Sequence, residues 1–264
     1  MSRIRDHLWL WAHEAGSHNG QFGLGSSSIG PAEAARYLGI DNVIMVAFGG
    51  RPEPPFAPHA APLRHLSRVV WSIVGDSSSK RNDQLPDLDE VLALAAEFPN
   101  VTGAIMDDFF HAPDDQGAVA RYSVADVAGF REKLHRAARP LDLWVVLYSH
   151  DLDRPVAHHL AHADVVTFWT WQSRDLAALP DNFARAETLA PHARKVLGCY
   201  MWDYGAGQPM PLDRMIHQCE TGLRWLRDGR IEGMILLASC ICDLGLETVE
   251  WARQWIAHIG GDQR

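Results

Sequence analysis

The 264-residue chain is poor in cysteine, in tyrosine and in positive charge. Its four cysteines, Cys199, Cys219, Cys240 and Cys242, contain no C-x-x-C, and Cys240-x-Cys242 has no second pair at zinc-site spacing. A disulfide-dense scaffold is thereby excluded, and reduced, mostly buried thiols are expected. A Cys199–Cys240 disulfide is conceivable only if their strands are neighbours. Lys and Arg number 24 against 33 Asp and Glu, a net charge of −9 with His neutral. An acidic chain grips phosphate backbones poorly, so nucleic acid is not an expected partner. No run approaches the roughly 20 apolar residues of a membrane span, so no membrane partner is expected either. The first apolar run is only Leu8 to Ala12, closed by His13 and Glu14. That is shorter than a secretory core, and the expectation is a cytoplasmic protein.

Several motifs are missing. Gly23-x-Gly25 is followed by Gly30, one residue late for G-x-G-x-x-G, and no G-x-x-x-x-G-K-[ST] occurs. There is no G-x-S-x-G, which disfavours a serine nucleophile on an elbow. His13-Glu14 to His18 is one residue too long for H-E-x-x-H, and Gly16 weakens any helix there.

What the chain does have is 47% hydrophobic residues, 10 Trp and 14 His. Short runs rich in Val, Ile, Leu and Trp recur at Leu8–Trp11, Asn42–Phe48, Arg68–Val74, Val101–Met106, Leu143–Tyr148, Val165–Trp171, Lys195–Trp202 and Gly233–Ala238. They are near-continuously apolar, as parallel strands buried on both faces should be. Helical patterns lie between them. Pro31 opens one. Leu88, Val91, Leu92, Leu94, Ala95 and Phe98 stripe another, which Pro99-Asn100 stops. Ser123-x-x-Asp126 starts a third like a capping box without the usual Glu or Gln. Pro211–Asp228 and Leu246–Ile259 complete the set, with irregular returns after strands two and five. Eight strands, each with a return, predict α/β class: a single (β/α)8 TIM barrel, one domain over residues 1–264. A doubly wound sheet would ordinarily carry a Gly-rich phosphate loop after its first strand. The Gly16–Gly30 segment reads as a solvent loop or a lid at the mouth.

Barrel active sites lie at the C-terminal strand ends. Those ends carry Trp11, His13 and Glu14; Asp76; Asp107, Asp108 and His111; Tyr148, His150 and Asp151; Trp171 and Gln172; Trp202, Asp203 and Tyr204; and Cys240. The opposite ends show no comparable cluster. Any one strand Trp is explained by core packing, but Trp11, Trp171 and Trp202 all fall at outgoing ends. Indoles stack on the C–H face of a sugar and donate through N–H. Side chains alternate along a strand. If Ala104 and Met106 face the barrel interior, Asp108 joins them and Asp107 points outward, so Asp108 is preferred for chemistry.

The run V-T-G-A-I-M-D-D-F-F, Val101–Phe110, resembles the acidic fourth-strand end of (β/α)8 glycoside hydrolases. The resemblance is architectural and covers most of the chain. The Asp-x-x-Asp-x-Asp-x-Glu run of chitinase-like barrels is lacking, as is an Asn-Glu pair, so no family's acid and nucleophile carry over. It implies cleavage of a glycosidic bond by paired carboxyl groups, without a cofactor, on a small-molecule or oligosaccharide substrate. Asp108 is read as nucleophile or base, with Asp107 beside it and Glu14 or Asp203 as acid. Tyr148, His150, Gln172 and Tyr204, with His13, would bind hydroxyls, and Trp11, Trp171 and Trp202 would stack. Two alternatives stay open. One is a metal-dependent barrel hydrolase or isomerase using His13, His18, Asp108, His111, His150 and Asp151. The other is a sugar-binding barrel without catalysis.

Overall fold

A computed structural model describes residues 2–264. Eight parallel strands close on themselves in the order β1-β8-β7-β6-β5-β4-β3-β2. They are β1 (Leu8–Ala12), β2 (Asn42–Met45), β3 (Arg68–Val74), β4 (Val101–Met106), β5 (Asp142–Tyr148), β6 (Val165–Trp169), β7 (Arg194–Tyr200) and β8 (Gly233–Leu237). This is the single TIM barrel that the strand rhythm predicts. Among the described residues, no helix is long and apolar enough to cross a membrane.

Local chemistry explains where elements stop. Pro31 opens the helix Pro31–Leu38, and Gly39 ends it at φ 72°, a left-handed cap that costs glycine nothing sterically. Ser123 caps Val124–His135: its hydroxyl accepts from the Asp126 N–H at 3.2 Å, and Asp126 accepts from the Ser123 N–H at 3.0 Å. Asp126 thus completes the box in place of Glu. Four strands stop short of the ends of their apolar runs, β8 by the single residue Ala238. β2 stops at Met45, and Phe48 and Arg51 bridge across Gly49-Gly50 instead. β6 stops at Trp169. β7 stops at Tyr200, after which Trp202–Asp203 pairs antiparallel with Gln208–Pro209. All four thiols are free and buried.

The register fixes which residues face inward. Trp9 pairs with Ile235, Ile235 with Gly198, Val196 with Thr167, Thr167 with Val146, Trp144 with Ile105, Gly103 with Val70 and Val70 with Ile44. In a parallel sheet paired residues share a face, so these all line the interior. Two edge-on indole pairs span the barrel there: Trp9–Trp144 at 5.1 Å and Trp11–Trp169 at 5.2 Å between centroids.

Glycines make room for them. A Cβ at Gly103 would stand 2.9 Å from Trp144 Nε1, and one at Gly233 would stand 3.2 Å from Trp9 Nε1. A Cβ at Gly198 would overlap the Trp169 ring. Large side chains therefore face absent ones, which fills the barrel without strain.

Gly198→Ala is expected to destabilise the fold by about 1–3 kcal/mol in denaturant unfolding, because the methyl overpacks Trp169. Gly129→Ala, in the helix Val124–His135 with nothing within 4 Å of a Cβ, should instead stabilise by about 0.5–1 kcal/mol. Equal effects at the two positions would contradict the packing argument.

Candidate active site

The interior register runs outward into the mouth. On β4 it continues from Gly103 and Ile105 to Asp107, the reverse of the parity expected from the sequence. Ala104 and Met106 face the helices. Asp107 is therefore the residue that strand alternation directs inward. Asp108 follows at φ 39°, in the left-handed region, and this turn brings the second carboxylate to the same cavity. Both aspartates line one space.

That space has two parts. An inner cavity of about 350 Å³ sits over the Trp11–Trp169 pair, lined by Tyr200, Tyr204, His13 and the two aspartates. An outer cleft of about 630 Å³ carries Lys80, His111, Arg121 and His150. Ser77, Asp108, Tyr148 and Trp171 belong to both and form the neck.

The carboxyl groups differ in environment. Asp108 Oδ1 accepts from the Tyr148 hydroxyl at 2.9 Å, and its Oδ2 accepts from the Ser77 N–H at 3.0 Å. Asp107 is only 5% exposed and accepts one hydrogen bond, from the Asp108 N–H at 2.9 Å. Burial, then the charges of Asp108 and Asp76, push its carboxyl well above the usual carboxylate range. Asp76 accepts from the Gly49 N–H at 3.0 Å and the Ser79 hydroxyl at 2.6 Å on one oxygen. Its other oxygen accepts the Ser78 hydroxyl at 2.5 Å. The site thus holds one carboxyl that resists ionisation beside two that are well supplied with donors.

Burial disfavours the charged form of the two inner imidazoles. His13 Nδ1 donates to the Val46 carbonyl at 3.1 Å, and desolvation lowers its pKa to about 4. Nε2 is then a bare acceptor. His18, buried and next to His13, is lowered to about 2 and bonds the Tyr204 hydroxyl at 3.1 Å. Burial also pushes the Tyr148, Tyr200 and Tyr204 hydroxyls up, so they remain donors.

Of the residues singled out from sequence, Trp11, His13, His18, Asp76, Asp107, Asp108, Tyr148, Trp171 and Tyr204 come together in the inner cavity, and His150 stacks on Tyr148 at its outer edge. Glu14, Asp203, Trp202 and Gln172 line neither space. Glu14 turns away to pair with Arg51 at 3.2 Å and His59 at 3.1 Å. Asp203 is buried and spent on Ser173 and Ala206. Trp202 donates to the Phe22 carbonyl at 3.0 Å, holding the Gly16–Gly30 segment. Gln172 packs beneath Gly205. Sequence reading missed Phe22, Phe48, Trp169 and Tyr200 as lining groups. Two of them, Trp169 and Tyr200, follow from i, i+2 alternation once Trp144 and Gly198 are known to face inward. Among the described residues, no three His, Cys, Asp or Glu are grouped to hold a metal.

No family model and no curated protein matches the chain. Solved structures do resemble it. A candidate α-L-fucosidase from Bacteroides thetaiotaomicron superposes with TM-score 0.61 at 10% identity, covering 99% of this chain and 98% of that one. The catalytic domain of a chitinase from Pyrococcus furiosus gives TM-score 0.59 at 10% identity, over 100% of this chain and 99% of that one. A xylanase and amylase inhibitor protein gives TM-score 0.56 at 13% identity, over 96% and 98%. A tryptophan synthase chain from Pyrococcus furiosus also superposes, with TM-score 0.51 at 11% identity over 99% and 100%, so at such identity the neighbours speak to the fold alone.

The raised pKa of Asp107 has a consequence for stability. Between the unfolded value of 3.8 and the folded one, the native state holds the extra proton, so stability falls as pH rises through that window. Asp107→Asn removes the penalty. Its melting temperature minus that of the wild type should grow as pH is raised from about 4 towards 8. A difference that stays flat would contradict the raised pKa.

Proposed function

We propose that the protein is a glycoside hydrolase whose working carboxyl groups are Asp107 and Asp108. The observation that supports this most is that two adjacent aspartates of unlike environment open into one aromatic-lined cavity. Asp107 supplies the acid and replaces Glu14 and Asp203 in that role, since neither of those reaches the mouth. Asp108, oriented by Tyr148 and Ser77, supplies the carboxylate.

In the reaction, the Asp107 proton goes to the glycosidic oxygen as its bond to the anomeric carbon breaks. Asp108 meets the developing positive charge, either bonding to that carbon as an ester, which water then cleaves as it gives its proton back to Asp107, or taking a proton from the water that attacks directly. With water in the role of nucleophile, its oxygen bonds the anomeric carbon. The products are then two hydroxyl compounds, with one proton moved from Asp107 to Asp108 and restored through solvent. Trp11 and Trp171 offer faces for the sugar ring, and His13 Nε2 accepts from a hydroxyl.

A non-catalytic sugar binder would keep the aromatics but have no use for a carboxyl buried against two others. That burial costs stability, as functional sites often do. The metal reading has no favouring observation: among the described residues its candidate ligands are not gathered into a group of three that could hold an ion.

Hydrolysis of a panel of aryl glycosides tests the assignment. Asp107→Asn and Asp108→Asn should each lower kcat by about 10²–10⁴. Glu14→Gln, which breaks only surface ion pairs, should leave kcat/KM unchanged. Wild-type turnover in both aspartate variants would overturn the mechanism. Tyr148→Phe removes a hydrogen bond to a charged group and should lower kcat about 10–100-fold. The wild-type rate should fall on the alkaline side as Asp107 loses its proton, and unchanged activity there would contradict its role as the acid.

A further inference from the structure

We infer that the enzyme removes short, uncharged sugar units, one or two rings long, from chain ends, because the inner cavity is walled opposite its neck and lined by no cation. This deepens the glycosidase reading and rests on it. The first ground is the wall. The Gly16–Gly30 segment is stapled rather than loose. The Trp202 indole donates to the Phe22 carbonyl, and Asp243 accepts from the N–H groups of Ser28 at 3.0 Å and Ile29 at 3.2 Å. Asn19 Oδ1 accepts from the Ser27 N–H at 2.8 Å. Gly23, at φ 75°, lies so close to Gly207 that a Cβ would come within 2.7 Å of its carbonyl oxygen. So held, the segment presents His18 and Phe22 to Phe48 and Tyr204. Ring centroids are 4.8 Å apart for His18–Phe48 and 5.2 Å for Phe22–Tyr204. These four rings stop the cavity opposite the neck.

The second ground is size. About 350 Å³ is the space of roughly a dozen waters at ~30 Å³ each, enough for one or two pyranose rings and not for a longer chain. The neck at Asp108 then separates that terminal unit from the rest of the substrate, which lies in the outer cleft of about 630 Å³.

The third ground is charge. No Lys or Arg lines the inner cavity; Lys80 and Arg121 belong to the outer cleft. The titratable groups that do face it are Asp76, Asp107, Asp108, His13, His18 and three tyrosines. A carboxylate, sulfate or phosphate on the terminal ring would face like charge with no cation to offset it. A neutral ring meets aromatic faces, the Tyr200 and Tyr204 hydroxyls and His13 Nε2.

The test has two arms. Turnover is measured on 4-nitrophenyl glycosides of neutral hexoses and 6-deoxyhexoses against the matching uronides, then on a linear hexasaccharide of the preferred sugar with a reduced end. Neutral glycosides should react at least about 100-fold faster than uronides, and early products should be a mono- or disaccharide with the matching penta- or tetrasaccharide. Trisaccharide as an early product, or uronides equal to neutral sugars, overturns the inference while leaving a glycosidase. The second arm needs no turnover: free neutral monosaccharides and uronic acids are titrated into the wild type and Phe22→Gly, following tryptophan fluorescence. The neutral sugars should perturb it and the uronic acids should not, and Phe22→Gly, which tolerates the left-handed backbone at that position (φ 54°) but removes the wall ring, should weaken binding. Selective binding with no glycoside cleaved sinks the glycosidase reading and keeps the neutral pocket; no binding and no cleavage overturns both.

Discussion

The packing of tryptophan against glycine inside the barrel is the constraint on which the site depends. Trp9, Trp144 and Trp169 are too large for an interior layer unless a facing position has no side chain, and Gly233, Gly103 and Gly198 provide those gaps. Each indole thereby pins the parity of its own strand and of the neighbour that carries the glycine. A slip of one residue would drive an indole into backbone and turn every rim group to the other face. Because Gly103 is inward, Asp107 is inward. Because Trp144 and Trp169 are inward, so are Tyr148 and Trp171. The core packing and the site geometry are one register.

That register sets up an electrostatic conflict which fits the proposed chemistry. Alternation alone would bring one carboxyl into the mouth. The left-handed turn at Asp108 brings a second, and the fixed Asp76 stands behind them. Three carboxyl groups near one apolar cavity cannot all ionise cheaply. The one with fewest donors and least exposure, Asp107, is the one whose pKa is pushed up. The neutral His13 and His18 follow from the same dryness, since imidazolium would be poorly solvated there. The opposing directions, carboxyl up and imidazole down, both come from desolvation.

The fold was legible in the sequence because it is written in composition: apolar runs alternating with amphipathic ones need no long-range knowledge. The rim was legible for the same reason, since strand ends could be counted. Side-chain direction was not. Whether Ala104 or Gly103 faces inward depends on Trp144 in the next strand, a contact invisible to a single segment. Glu14 and Asp203 sit at the right height, yet Arg51 with His59 and Ser173 with Ala206 draw them aside. Trp202 likewise reads as a stacking platform until its indole is seen holding Phe22. The Gly16–Gly30 segment has the composition of a loop, and only its distant partners Trp202 and Asp243 make it a wall.

The central claim is that the barrel dries and crowds Asp107 enough to keep it protonated. A ¹³C-carboxyl NMR titration measures this directly, with the resonance assigned by its loss in Asp107→Asn. The account predicts a midpoint displaced well above the ordinary value of 3.8. A midpoint at or below that value would contradict it.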